Sequence, residues 1–218
     1  KGKTAGDYFC FSVSGAGDIN QDGHADIIIG AYKNRDSGFE DCGAVYVIYG
    51  GSTATRKDID LSTETLLPAT TGFTLKGYGL KDRFGYSVNT AGDINKDGFD
   101  DILISAPGRS GFRGAVYVIY GNKNSNLKNF DFFTTGVSLD SATTGFLVFG
   151  ETLLNDFGWS VSSAGDMNND EYDDIVIGAP QVNSYQGKAY VIYGRETSSF
   201  KDLNFATDTL NPATTGFT

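Results

Sequence analysis

The feature that most constrains this chain is that it repeats itself. "GAGDINQDGHADIIIGAY" (15–32) returns as "TAGDINKDGFDDILISAP" (90–107) and as "SAGDMNNDEYDDIVIGAP" (163–180). The leading aspartates, Asp18, Asp93 and Asp166, are 75 and 73 residues apart. "VYVIYG" (45–50, 116–121), "AYVIYG" (189–194) and "ATTGF" (from 69, 142 and 213) keep the same period. A fixed period of this kind means one supersecondary unit used several times. The units read as 1–77, 78–150 and 151–218, the last with its outer strand cut short.

Each unit contains four short apolar segments. In the middle of the chain these are "YSVNTAG" (86–92), "DILISA" (101–106), "GAVYVIYG" (114–121) and "GFLVFG" (145–150), with "GFTLKG" (72–77) as the matching segment of the first unit. No long stretch carries the i, i+3, i+4, i+7 pattern of an amphipathic helix. Val, Ile, Tyr and Phe fill the apolar runs, and 29 glycines punctuate them. The fold class is therefore all-β. A repeated four-stranded sheet predicts β-propeller blades of antiparallel strands. The almost wholly apolar "DIIIGA" (26–31) is expected to be the innermost strand, and the Tyr-rich third strand (Tyr46, Tyr49, Tyr117, Tyr120, Tyr190, Tyr193) to pack between blades. Phe11, Tyr86 and Trp159 share one repeat position and are expected in the interblade core. The similar insertions "RKDIDLST", "LKNFDFFTTG" and "FKDLNFATD" are expected as edge excursions of their own blades. Three blades do not make a ring, since propellers use about four to eight. The expectation is an incomplete ring or an open head-to-tail array.

The acidic loop is the chemical signal. It reads Asp18-x-Asn20-x-Asp22-Gly23-x-x-Asp26, then Asp93-x-Asn95-x-Asp97-Gly98-x-x-Asp101, then Asp166-x-Asn168-x-Asp170-Glu171-x-x-Asp174. Side-chain oxygens recur at positions 1, 3, 5 and 9, and the carbonyls of His24, Phe99 and Tyr172 at position 7 add a fifth ligand. Calcium takes six to eight oxygen ligands, whereas Mg²⁺ keeps its waters and rarely uses a dedicated protein cage. Asp-Gly is also an ordinary hairpin signal, but three copies with the same oxygens in the same places exceed what a turn needs. The reading is three Ca²⁺ sites. The third is expected to be weaker, because Glu171 stands where a Gly would take φ > 0 freely.

At this point the residues resemble a known family, the FG-GAP repeats of integrin α-subunit propellers and of large bacterial surface proteins. Phe84-Gly85 pairs with Ala106-Pro107 and Phe157-Gly158 with Gly178-Ala179-Pro180, while the first unit departs with Phe9-Cys10 and Gly30-Ala31-Tyr32. The resemblance implies four-stranded blades, Ca²⁺ in the loop between the first two strands on a lower face, and ligand contact through upper-face loops. Those loops would lie near 32–42, 107–113 and 180–186, with 78–85 and 151–158. On that arrangement Cys10 and Cys42, special to one unit and in loops of the same face, are expected to form a disulfide, with two buried thiols as the alternative. The resemblance also implies an extracellular or cell-surface setting.

Other classes have little support. A net charge of −10 and a pI near 4.4 disfavour nucleic acid and anionic membranes. No apolar run reaches the ~18 residues of a membrane span. His24 is the only histidine and already lies in an acidic loop, so a Ser-His-Asp arrangement has no candidate. No carboxylate pair stands apart from the loops as a glycosidase needs. The chain therefore reads as a non-catalytic, calcium-stabilised module for adhesion or binding of a protein or glycan ligand. The alternative is a structural subunit of a filament, with neighbouring copies as partners.

Overall fold

The computed structural model describes residues 1–36, 38–52, 58–124, 126–132 and 138–218. The first blade contains β1 (Ser12–Gly17), β2 (Asp26–Ala31), β3 (Ala44–Ile48) and β4 (Gly72–Lys76). The second contains β5 (Val88–Gly92), β6 (Asp101–Ala106), β7 (Ala115–Ile119) and, after the short β8 (Phe130–Asp131), β9 (Gly145–Phe149). The third contains β10 (Ser160–Gly165), β11 (Asp174–Ala179), β12 (Lys188–Ile192) and, after the short β13 (Leu203–Asn204), β14 (Gly216–Phe217). Each blade is an antiparallel meander in chain order, and the three sheets do not close a ring.

The innermost strands are β1, β5 and β10, which pack on one another in sequence. This corrects the expectation for "DIIIGA": β2 is the second strand, and Ile27 on it is exposed. Composition misled because a second strand is covered on both faces by neighbouring sheets, while an inner strand faces the axis and tolerates Ser, Gly and Asn. The two faces of the middle blade show how period-2 alternation builds the core. Ile102, Ile104, Tyr117 and Ile119 pack toward the first blade, whereas Leu103, Val116 and Val118 pack toward the third. Tyr46, Tyr117 and Tyr190 are buried as expected.

Two residues explain the Phe-Gly pair. Phe84 is fully buried, edge-on to Tyr117 at 4.9 Å, and Phe157 repeats this against Tyr190 at 5.1 Å. Gly85 has φ +81° and lies against the preceding blade, where a β-carbon would come within 2.7 Å of Val45 Cγ2. The aromatic ring fills its own blade's flank and the glycine lets the backbone touch the neighbour.

Two further expectations are corrected. The insertion does not skirt its own blade. β8 pairs in parallel with β4 of the preceding blade, and β13 with β9. Asn129 and Asp202 add side-chain acceptors for the N–H of Thr74 and Leu147, both at 2.8 Å. The insertion is therefore a clip from one unit to the one before it. The parts of the insertions at 53–57 and 133–137 lie outside the described residues. Phe11, Tyr86 and Trp159 do not enter the interblade core. Phe11 and Trp159 are exposed, and the three rings form a row with Tyr32, at 4.5 Å for Tyr32–Phe11, 5.1 Å for Phe11–Tyr86 and 4.7 Å for Tyr86–Trp159. They stand at the entrances of the inner strands, where blades converge and side chains meet each other instead of filling the gap between sheets.

The bridge expected between Cys10 and Cys42 is not made. Cys10 occupies the repeat position of Gly85, with φ +67°, and is exposed on the outer flank of the first blade. Cys42 is buried, and its carbonyl accepts the N–H of Phe84 in the second blade at 3.1 Å. One thiol therefore stands in solvent and the other in the interior beside the second blade.

Candidate cation loops

A β-bulge precedes every acidic loop. Register slips between Gly15 and Gly17, between Thr90 and Gly92, and between Ser163 and Gly165. The glycines at the slip, Gly17, Gly92 and Gly165, have φ +67°, +69° and +63°, the left-handed geometry of a glycine bulge. The bulge turns the strand so that the next nine residues coil into a compact loop.

Inside each loop the backbone amides gather the acidic side chains. Asp18 accepts the N–H groups of Asp22 and Gly23, both at 2.9 Å, and Asp22 accepts that of His24 at 2.9 Å. Asn20 accepts the N–H of Asp22 at 3.0 Å and donates its amide to Asp22 at 3.1 Å. Asp93, Asn95 and Asp97 with Phe99 repeat the pattern, as do Asp166, Asn168 and Asp170 with Tyr172. Position 6 has φ +85° at Gly23, +92° at Gly98 and +72° at Glu171, so the expected strain at Glu171 is present.

Position 9 behaves differently. Asp26, Asp101 and Asp174 are buried, and each clasps two backbone amides. Asp101 accepts from Ile94 at 3.1 Å and from Gly121 at 2.8 Å. Asp26 does the same with Ile19 and Gly50, and Asp174 with Met167 and Gly194. This carboxylate ties its loop to the end of the third strand, a role the spacing alone did not reveal because the partner lies about 20 residues downstream. Burial pushes all three carboxyls up, that of Asp26 to about 6, and the nearby loop aspartates push in the same direction.

Among the described residues, no three His, Cys, Asp or Glu side chains converge into a ready metal cage. The donor set nonetheless fits a hard dication. Each loop supplies three carboxylates and one amide oxygen, and among the described residues no Lys or Arg pairs with any of the nine aspartates; only His24 reaches Asp22, at 3.2 Å. Backbone amides and the position-3 asparagine amides are the main groups set against the charge.

Tandem four-stranded blades, each with a bulge-initiated acidic hairpin loop and a Phe-Gly anchor, define a class of all-β repeat protein. The chain belongs to the FG-GAP repeat family, whose model matches residues 11–48, 84–119 and 157–192. It is 31% identical over 206 residues to integrin alpha-PS2 of Drosophila melanogaster, a match covering 90% of this chain and 13% of that protein. It is 30% identical over 168 residues to the human phosphatidylinositol-glycan-specific phospholipase D, covering 75% of this chain and 18% of the enzyme. Against integrin alpha-4 of Xenopus laevis the identity is 31% over 178 residues, covering 82% and 15%. The chain thus spans less than a fifth of the length of these relatives.

Proposed function

We propose that the chain is a non-catalytic, calcium-stabilised propeller-repeat module that binds a protein ligand at the cell surface or outside the cell. The observation that carries this reading is a division of labour between the two ends of the blades. At one end the acidic loops share one backbone design. At the other end the connections differ from unit to unit and expose large apolar side chains: Tyr78, Leu80, Leu153, Leu154 and Tyr185 are each more than half exposed. These connections adjoin one another. Tyr78 and Leu80 line a pocket with Ser110 and Gly111, and a β-carbon at Gly111 would lie 3.5 Å from Leu153. Ser110–Phe112 and Asn183–Tyr185 run in left-handed conformation, which costs about 1–2 kcal/mol per non-Gly residue. Exposed apolar groups on strained loops are typical of a binding surface. Integrin alpha relatives support a protein partner, while the phospholipase relatives leave room for an enzyme elsewhere in a longer chain.

The reading is tested by coating surfaces with the chain and measuring attachment of cells and of extracellular proteins. Calcium-dependent attachment lost in a Leu80→Asp/Leu153→Asp/Tyr185→Ala variant is expected. Attachment indifferent to all three changes contradicts it.

A further inference from the structure

We propose that Asp100 and Asp173 are positioning residues for the cation loop of the neighbouring blade, which makes the loops a coupled series; this rests on the calcium reading above. Each stands at position 8 of its own loop yet points away from it. Asp100 accepts the backbone N–H of Asp18, the first ligand position of the preceding loop, at 2.7 Å. Asp173 accepts that of Asp93 at 2.9 Å. Fixing that amide fixes the direction in which the first ligand's side chain leaves the backbone.

The fit is close. A β-carbon built on Gly17 would lie 2.2 Å from Asp100 Oδ2, and one on Gly92 2.1 Å from Asp173 Oδ2, whereas the space beside Gly165 is open. A second contact follows the same order. Gln21, at position 4, donates its amide to the carbonyl of Gly98, at position 6 of the next loop, at 2.9 Å. Lys96, at position 4 of the second loop, pairs with Glu171 at position 6 of the third. Glu171 thus replaces the usual glycine with an acceptor for its neighbour. Each of the first two loops is thus held by the blade that follows it, with Asp18 and Asp93 half-buried.

Calorimetric titration of calcium into the whole chain tests this. In a background with the second and third loops silenced by Asp97→Ala and Asp170→Ala, adding Asp100→Ala should weaken the first site about tenfold, the order expected for one charge-assisted hydrogen bond, although every ligand of that site is intact. Asp100→Asn keeps an acceptor oxygen and should recover most of the affinity. Unchanged affinity in Asp100→Ala, or an Asn variant as weak as the Ala variant, overturns positioning. If the silenced background does not fold, Gly17→Ala and Gly165→Ala in the otherwise unaltered chain give the answer. Both strain a left-handed residue, but only Gly17→Ala drives into Asp100. It should reduce the calcium-induced rise in melting temperature more than Gly165→Ala, and equal reductions overturn the coupling. No calcium binding by the parent chain overturns the calcium reading as well; binding by the parent with a first site indifferent to Asp100 overturns the coupling alone.

Discussion

Asp26, Asp101 and Asp174 concentrate the electrostatics of the molecule in single side chains. Each is a buried carboxylate whose two oxygens both accept backbone N–H groups, with the loop aspartates close enough to repel its charge. A carboxyl held above its ordinary value in the folded chain binds protons more readily there than when unfolded. Folding is then favoured at low pH and disfavoured once the group must ionise. With calcium chelated, stability should therefore fall as pH rises from about 4 through about 6, the window set by Asp26. If the proposed calcium sites bind through the ionised carboxylates, stability should hold or rise over the same window with calcium present. Denaturant midpoints measured against pH with and without chelator check this; identical profiles would count against a cation at the loops. Glu171 offers a second comparison at this scale. Its left-handed backbone costs about 1–2 kcal/mol, while its ion pair with Lys96 is fully exposed, so solvent screens it and it contributes little. The strain is the larger quantity, so Glu171→Gly should stabilise the chain by about 0.5–1 kcal/mol, and by more at high salt where the pair is screened. Urea titrations at two ionic strengths read it.

At the scale of elements, the clip is the unforeseen part. Phe132 and Phe205 follow the clip strands and are buried against Tyr117 at 4.9 Å and Tyr190 at 4.7 Å. Phe132→Ala should destabilise the chain by about 3–5 kcal/mol and open the β4 edge to solvent. Amide hydrogen exchange should accelerate at Thr74 and Lys76, whose N–H groups face the clip, while β1 and β2 stay protected; unchanged exchange there would show that the clip does not hold the edge. The four main strands of each blade were legible because alternation, Gly turns and repetition agree: "DILISA" is β6 to the residue, and "GFTLKG" is β4 with one residue beyond. The clip was not legible. Two residues of strand carry no periodicity, and its partner belongs to the preceding unit. The inner strand was misassigned for a related reason, since apolarity reports how many faces are covered and not the distance from the axis. The acidic loops were legible in residue type and spacing. The second role of position 9 and the outward turn of position 8 were hidden, because each depends on a residue in another strand or another blade.

At the scale of the whole molecule, neighbouring blades are held at three levels: an apolar core between sheets, a clip on the outer edge and hydrogen-bonded loops at one end. Cores of this kind couple the units, so unfolding should be cooperative across blades. If each loop binds calcium with the ~10⁻⁴ M affinity usual for extracellular modules, then ~10 mM calcium adds about 2.7 kcal/mol per site. The most direct measurement is a thermal melt of the chain in millimolar calcium against the same chain in chelator. The account requires a higher melting temperature in calcium, lost progressively as Asp22→Ala, Asp97→Ala and Asp170→Ala are combined. Superimposable melting curves in calcium and in chelator would contradict it.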